Sequence, residues 1–224
     1  MRELHLYAHN QIRAVQRKAK YENNFWKLAT LLDFRIAPGD HAFCALGDPP
    51  LIVLNSYDFA RKRNSFAGMH EIVHLLFKQR GIEQAVIDAF DGDRASAIPI
   101  LESWCNQFAA VLLLPDHVVE DTLERHGDAP EAIMALHQHA QVGLGVPLRR
   151  YVFANSDKPA AAFAATHKGY VLDAARQYTR VPFTKGMFLP DDLIPAPGQH
   201  GVSEESSIIT AILPDGRIVG VLAW

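Results

Sequence analysis

The chain has 224 residues, of which 49% are hydrophobic and 21% charged, with a formal net charge of −3. That apolar content can build one large core or a core plus a smaller partner, while the charge balance argues against disorder and against bulk attraction to nucleic acid. Two cysteines, Cys44 and Cys105, do not make a disulfide scaffold, and the longest apolar run, Phe108 to Pro115, is far too short to span a bilayer.

The N-terminus is charged from its second residue and lacks an apolar stretch of signal-peptide length, so a soluble, cytoplasmic protein with no membrane partner is expected. Residues 3–33 carry apolar residues at helical spacing, with Asn23 and Asn24 predicted to break the stretch into two helices. The runs FRI, AFCAL and LIVLN between residues 34 and 56 are separated by Pro-Gly-Asp and Gly-Asp-Pro-Pro, and these read as three short strands. From Ser56 the helical period returns: Phe66, Met69, Val73, Leu76 and Phe77 form one stripe, and Gly81 is placed to end it. Residues 91–98 read as a loop, 99–114 as a helix stopped by Pro115, and 117–126 as a helix capped by Asp116. Asp128 is predicted to cap one more helix, with Pro130 in its first turn. Beyond about residue 150 the texture turns to β. AAFAAT and YVLDAA flank His167-Lys168-Gly169, SIITAIL and RIVGVLAW flank Pro214-Asp215-Gly216, and both pairs read as hairpins around an irregular stretch at 180–200.

His70-Glu71-Ile72-Val73-His74 is an H-E-x-x-H pattern on a predicted helix. Residues four apart lie one above the other on a helix, so His70 and His74 can both reach one ion, and neutral imidazole suits zinc. Glu71, beside His70, is positioned to hydrogen-bond a metal-bound water as a general base. A surface-facing polar stripe on a core helix would give the same five residues. The apolar back of this helix and the strands before it favour the metal.

A catalytic zinc takes a third protein ligand and keeps a position open for water. Glu102 is the leading candidate, on the next long helix, where it shares a face with Asn106 and Ala109 opposite Trp104, Phe108 and Val111. Asp88, Asp91 and Asp93 are nearer in sequence but read as loop acids. His117 reads as a solvated residue at a helix start, and His137 and His139 point to different helix faces. Cys105 could be a fourth ligand but reads better as a packing residue. No residue stands out for stabilising an oxyanion, with Tyr57 and His117 as bare candidates.

The order of LIVLN, then RKRNSFAGMHEIVHLLF, then ESWCNQFAAVLLLP resembles the ImmA/IrrE family of metallopeptidases over roughly residues 20–120. That family pairs H-E-x-x-H with a later helix of the form E-x-x-x-N-x-F-A-A-x-L-L-x-P, and the second motif independently selects Glu102. The resemblance implies an α+β fold: a mostly helical zincin-like metallopeptidase domain with a small sheet at 1–128, a degenerate helix-turn-helix-like segment at 129–155, and a small β-rich, GAF-like part at 156–224. It implies one Zn2+ with a bound water, held by His70, His74 and Glu102, and Glu71 as the catalytic residue. It also implies a protein substrate, a helix-turn-helix transcriptional repressor whose cleavage relieves repression. Three other readings stand beside this one. The chain could bind a repressor without cutting it, could bind DNA through residues 129–155 with Arg149 and Arg150, or could hydrolyse a non-peptide substrate. Direct nucleic-acid binding is not expected from the charge balance.

Overall fold

The computed structural model describes residues 1–61, 65–154, 159–177, 179, 183–203 and 207–222. They divide into two compact units, Met1–Pro115 and Asp116–Trp224. Among the described residues no single helix is long and apolar enough to cross a membrane.

In the first unit the predicted helical stretch breaks as expected into α1 (Arg2–Lys18) and α2 (Phe25–Leu31). Asn24 caps α2, its side chain accepting from the backbone N–H of Lys27. The three apolar runs become β1 (Arg35–Gly39), β2 (Phe43–Ala45) and β3 (Leu51–Asn55). They form one sheet in the order β1-β3-β2, with β1 parallel and β2 antiparallel to β3. The AFCAL segment therefore lies at one edge of this sheet.

Then come α3 (Ser56–Arg61), α4 (Phe66–Gln79), α5 (Ile82–Asp88) and α6 (Arg94–Leu113). Gly81 ends α4 with φ +68° and opens α5, a helix that has no counterpart among the predicted elements. The loop expected at 91–98 is a loop only to Asp93. The Asp93 carboxylate accepts from the backbone N–H groups of Ala95 and Ser96 at 3.0 and 3.4 Å and from the Ser96 hydroxyl at 2.6 Å. That cap starts α6 five residues earlier than Pro99 suggested. Pro99 then lies inside the helix, where it removes one intrahelical hydrogen bond.

Helix α6 is the centre of the unit. On one side α1 lies along it, with Gln16 Nε2 donating to Val111 O at 2.7 Å and His5 stacked near Phe108 and edge-on to Trp104. On the other side it packs against α4, the rings of Phe77 and Phe108 meeting edge-to-face at 5.9 Å.

The second unit contains α7 (Asp116–His126), α8 (Pro130–Ala140) and α9 (Gly145–Val152), then β4 (Ala160–Ala165), β5 (Val171–Gln177), β6 (Gly201–Ser203), β7 (Ile208–Ile212) and β8 (Ile218–Leu222). Asp128 is not the cap of α8. Ala129 holds the N-cap position without a side-chain bond, and Pro130 takes the first helical place.

Both predicted hairpins form, and β4 also pairs with β8, giving a single antiparallel sheet in the order β5-β4-β8-β7-β6. Helices α8 and α9 pack on this sheet. A buried cluster of Phe163, Phe183, Leu189, Leu193, Ile208 and Ile218 forms its core. Phe163 lies across Gly220, its pairing partner on β8, where an added Cβ would come within 2.3 Å of the ring. Glycine at 220 is what lets the aromatic ring cross the strand.

Candidate metal centre

The site is built by α4 and α6. The Ser65 hydroxyl starts α4 by accepting from the Gly68 N–H at 3.0 Å. Gly68 lets this first turn lie against α2, since a Cβ there would fall 2.6 Å from the ring of Phe25. Met69, Ile72, Val73, Leu76 and Phe77 are buried, which anchors the inner side of the helix. His70 and His74, one turn apart, are thereby carried to its half-buried flank.

Their Nε2 atoms are 2.9 Å apart. The Glu102 carboxylate from α6 meets both, with Oε2 3.1 Å from His70 Nε2 and Oε1 3.3 Å from His74 Nε2. One ligand atom from each of the three residues lies within 4.8 Å of the others, and among the described residues this is the one group of three or more His, Cys, Asp or Glu so arranged. These separations approach the edge of a tetrahedron about an ion with bonds of 2.0–2.1 Å, about 3.3 Å. Atoms that all present lone pairs repel one another unless a cation or proton lies among them, so the donor set fits a divalent metal. The Glu102 side chain is 48% exposed against 14% and 15% for the two histidines, so the centre opens to solvent on the carboxylate side.

Burial holds the pKa of His74 below the ordinary imidazole value, and the neighbouring His70 lowers it further. The neutral ring is the form that ligates. Glu71 is buried, and burial raises its carboxyl above the usual range, although a hydrogen bond from Cys44 and the neighbouring His70 oppose this. A carboxylate so raised is closer in basicity to a metal-bound water than an exposed glutamate is.

Cys44 reaches Glu71 from the edge strand β2. Its own thiol is pushed up to about 12, by burial first and by the Glu71 charge second. Lys78, two turns beyond Glu71 on α4, holds the same strand residue, with Nζ 3.5 Å from Cys44 O and 3.6 Å from Sγ. Behind the histidines, His70 Nδ1 lies 3.0 Å from Asn106 Oδ1 and His74 Nδ1 lies 3.5 Å from Cys105 Sγ.

The other candidates fall elsewhere. Asp93 caps α6, and its pKa is lowered by the Ser96 bonds. Asp88 accepts from Gln84 at 2.8 Å, and Asp91 occupies a turn with φ +53°. Cys105 stands against the far nitrogen of His74, on the side of the ring away from Glu102, rather than joining the three ligand atoms. His137 lies 3.2 Å from Arg217 in the second unit, and Tyr57 is exposed on α3. Arg149 pairs with Asp173 at 3.0 Å and Arg150 with Asp116 at 2.6 Å, so both cations that suggested DNA contact have acidic partners. The residues that sequence reasoning does not raise near the site are Cys44 and Lys78, and nothing local marks them. It weighs Cys105 as a ligand and places Asn106 on the face of Glu102, but assigns neither its contact with a ring nitrogen.

Two packed helices bring two imidazoles and a carboxylate to one point, with a buried carboxyl beside them and a small sheet at the edge, a donor set that could hold a single metal ion. The chain belongs to the ImmA/IrrE family: the family model for the IrrE N-terminal-like domain, a peptidase M78 domain, matches residues 31–151. Two curated relatives are both named radiation response metalloprotease IrrE. The one from Deinococcus deserti is 31% identical over 115 residues, which are 51% of this chain and 39% of that protein. The one from Deinococcus radiodurans is 33% identical over 82 residues, 36% of this chain and 24% of that protein. The match thus spans well under half the length of either relative. A solved structure of a Mycobacterium tuberculosis transcriptional regulator superposes with a TM-score of 0.53 over 95% of this chain and 75% of that one, at 15% identity, which is a likeness of fold.

Proposed function

We propose that this chain is a zinc-dependent endopeptidase whose metal ligands are His70, His74 and Glu102 and whose general base is Glu71. The observation that carries this reading is the convergence of the three ligand atoms within 4.8 Å beside a buried carboxyl. Family membership and the names of the two relatives support it. When bound, zinc supplies a Lewis acid and a water of lowered pKa. Glu71 takes a proton from the attacking water and delivers it to the leaving amine, so that one peptide bond and one water become a carboxylic acid and an amine. Among the described residues β2 pairs with β3 alone, leaving its other edge for an extended substrate to join by main-chain hydrogen bonds.

The substrate in this reading is a helix-turn-helix repressor in the cytoplasm, cut as part of a stress response, and the second unit is a GAF-like regulatory part. A five-stranded antiparallel sheet with helices packed on it supports that last assignment. The test is incubation with a repressor-like protein encoded beside this chain, with and without a chelator, followed by mass spectrometry of fragments. Wild type should cut and chelation should stop it. Glu71→Gln should keep zinc while cleavage falls about 10²- to 10⁴-fold, the range for a lost proton-transfer group. Wild-type rates in that variant would remove Glu71 from the mechanism.

A further inference from the structure

Helix α6 carries more of the centre than its ligand. Glu102, Cys105 and Asn106 stand at positions i, i+3 and i+4 and share one face. Glu102 meets the Nε2 atoms of both histidines, while Asn106 and Cys105 meet the two Nδ1 atoms behind them. An imidazole that offers its Nε2 lone pair to a cation must carry its proton on Nδ1, and that proton wants an acceptor. The two acceptors are unequal. Asn106 offers an amide oxygen at 3.0 Å, whereas Cys105 offers a sulfur at 3.5 Å. Thiol sulfur is a weak acceptor.

We infer that Asn106 is the positioning residue that sets the tautomer and ring orientation of His70, that Cys105 does the same only weakly for His74, and that metal affinity depends on Asn106 far more than on Cys105. This rests on the three-ligand reading above. The amide can support His70 in one orientation only. Turned over, its NH2 would donate to Nδ1 and drive the ring proton onto Nε2, where the metal belongs. An aspartate has no donor and cannot make that error.

The experiment measures zinc affinity by competition with a chromogenic chelator on the full chain, in wild type, Asn106→Leu, Asn106→Asp and Cys105→Ala. Melting of the metal-stripped proteins serves as the control for fold. Asn106→Leu should bind zinc about 10- to 100-fold more weakly, the range for losing an outer-shell partner, with its metal-free melting point unchanged. Asn106→Asp should bind at least as tightly as wild type, and Cys105→Ala should lose less than about threefold. In zinc-loaded wild type, nitrogen-15 spectra should show His70 protonated at Nδ1. Zinc affinity in Asn106→Leu equal to wild type, or an Asn106→Asp protein as weak as Asn106→Leu, would overturn the inference while leaving the three ligands intact. If Asn106→Leu does not fold, the Asn106→Asp affinity and the nitrogen-15 spectra decide it alone. A wild-type chain that takes up no zinc would instead sink the metal-centre reading and this inference with it.

Discussion

The polar groups of the two units are used in opposite ways. In the second unit several are closed by protein partners, although among the described residues His137 Nδ1 is buried without one. Thr210 is fully buried and donates to Leu193 O at 3.0 Å, Arg149 is closed by Asp173 and the carbonyl of Gly145, and Arg150 is closed by Asp116. In the first unit, two imidazole nitrogens and a carboxylate converge on one another at the mouth of the α4–α6 pair. A self-satisfied polar network stabilises a fold, whereas convergent acceptors are costly without a cation. The contrast is between side chains closed by protein partners and a donor set that could hold an ion.

The sharpest way to break that contrast is Glu102→Ala. It should reduce zinc affinity beyond the about 100-fold that outer-shell changes reach, read by dialysis and metal analysis. Full occupancy in this variant would mean that another group completes the centre. Next in size is a matched pair of core truncations. Phe108→Ala and Phe163→Ala should each cost about 3–5 kcal/mol in denaturant unfolding, since both rings are fully buried. Only Phe108→Ala should also weaken zinc, because Phe108 locks α6 against Phe77 of α4. Equal zinc loss in both would erase the distinction between the units.

A smaller effect is expected from Ser65→Ala. Losing the α4 cap should cost about 1 kcal/mol and weaken zinc slightly, with the edge-on contact of His70 and His74 intact.

The smallest is a pH effect on the metal-free protein. Burial raises the Glu71 pKa in the folded state, so the fold binds that proton more tightly than the unfolded chain does. Stability from this group is present below the ordinary glutamate pKa and declines as pH rises through the raised value. Glu71→Gln should therefore melt higher than wild type at neutral pH and match it in acid. A variant less stable than wild type at neutral pH would show that the charged carboxylate is favoured in the fold.

Much of this molecule can be read one element at a time. H-E-x-x-H puts two imidazoles on one helix face because the α-helix repeats every 3.6 residues, and the same repeat groups Glu102, Cys105 and Asn106. Pro-Gly-Asp and Gly-Asp-Pro-Pro separate the strands of the small sheet, and Gly169 and Gly216 sit at positive φ in the two hairpin turns. Local signals misled where two competed. Residues 91–98 read as a loop, but the Asp93 carboxylate, with its bonds to Ala95 and Ser96, starts the helix within them.

What the sequence by itself determined is the content of each element: which residues form it, which face is apolar, and which polar residues that face carries. Only the tertiary structure decided which elements touch. It joined the two hairpins into one sheet through β4 and β8, brought Cys44 of β2 to Glu71 and Lys78 of α4, and closed Glu102 onto the histidines to within 4.8 Å. The reason is physical. Periodicity and capping act over a few residues through backbone geometry. Contacts between distant elements depend on how buried side chains such as Phe77 and Phe108 fit together, and no local pattern encodes that fit.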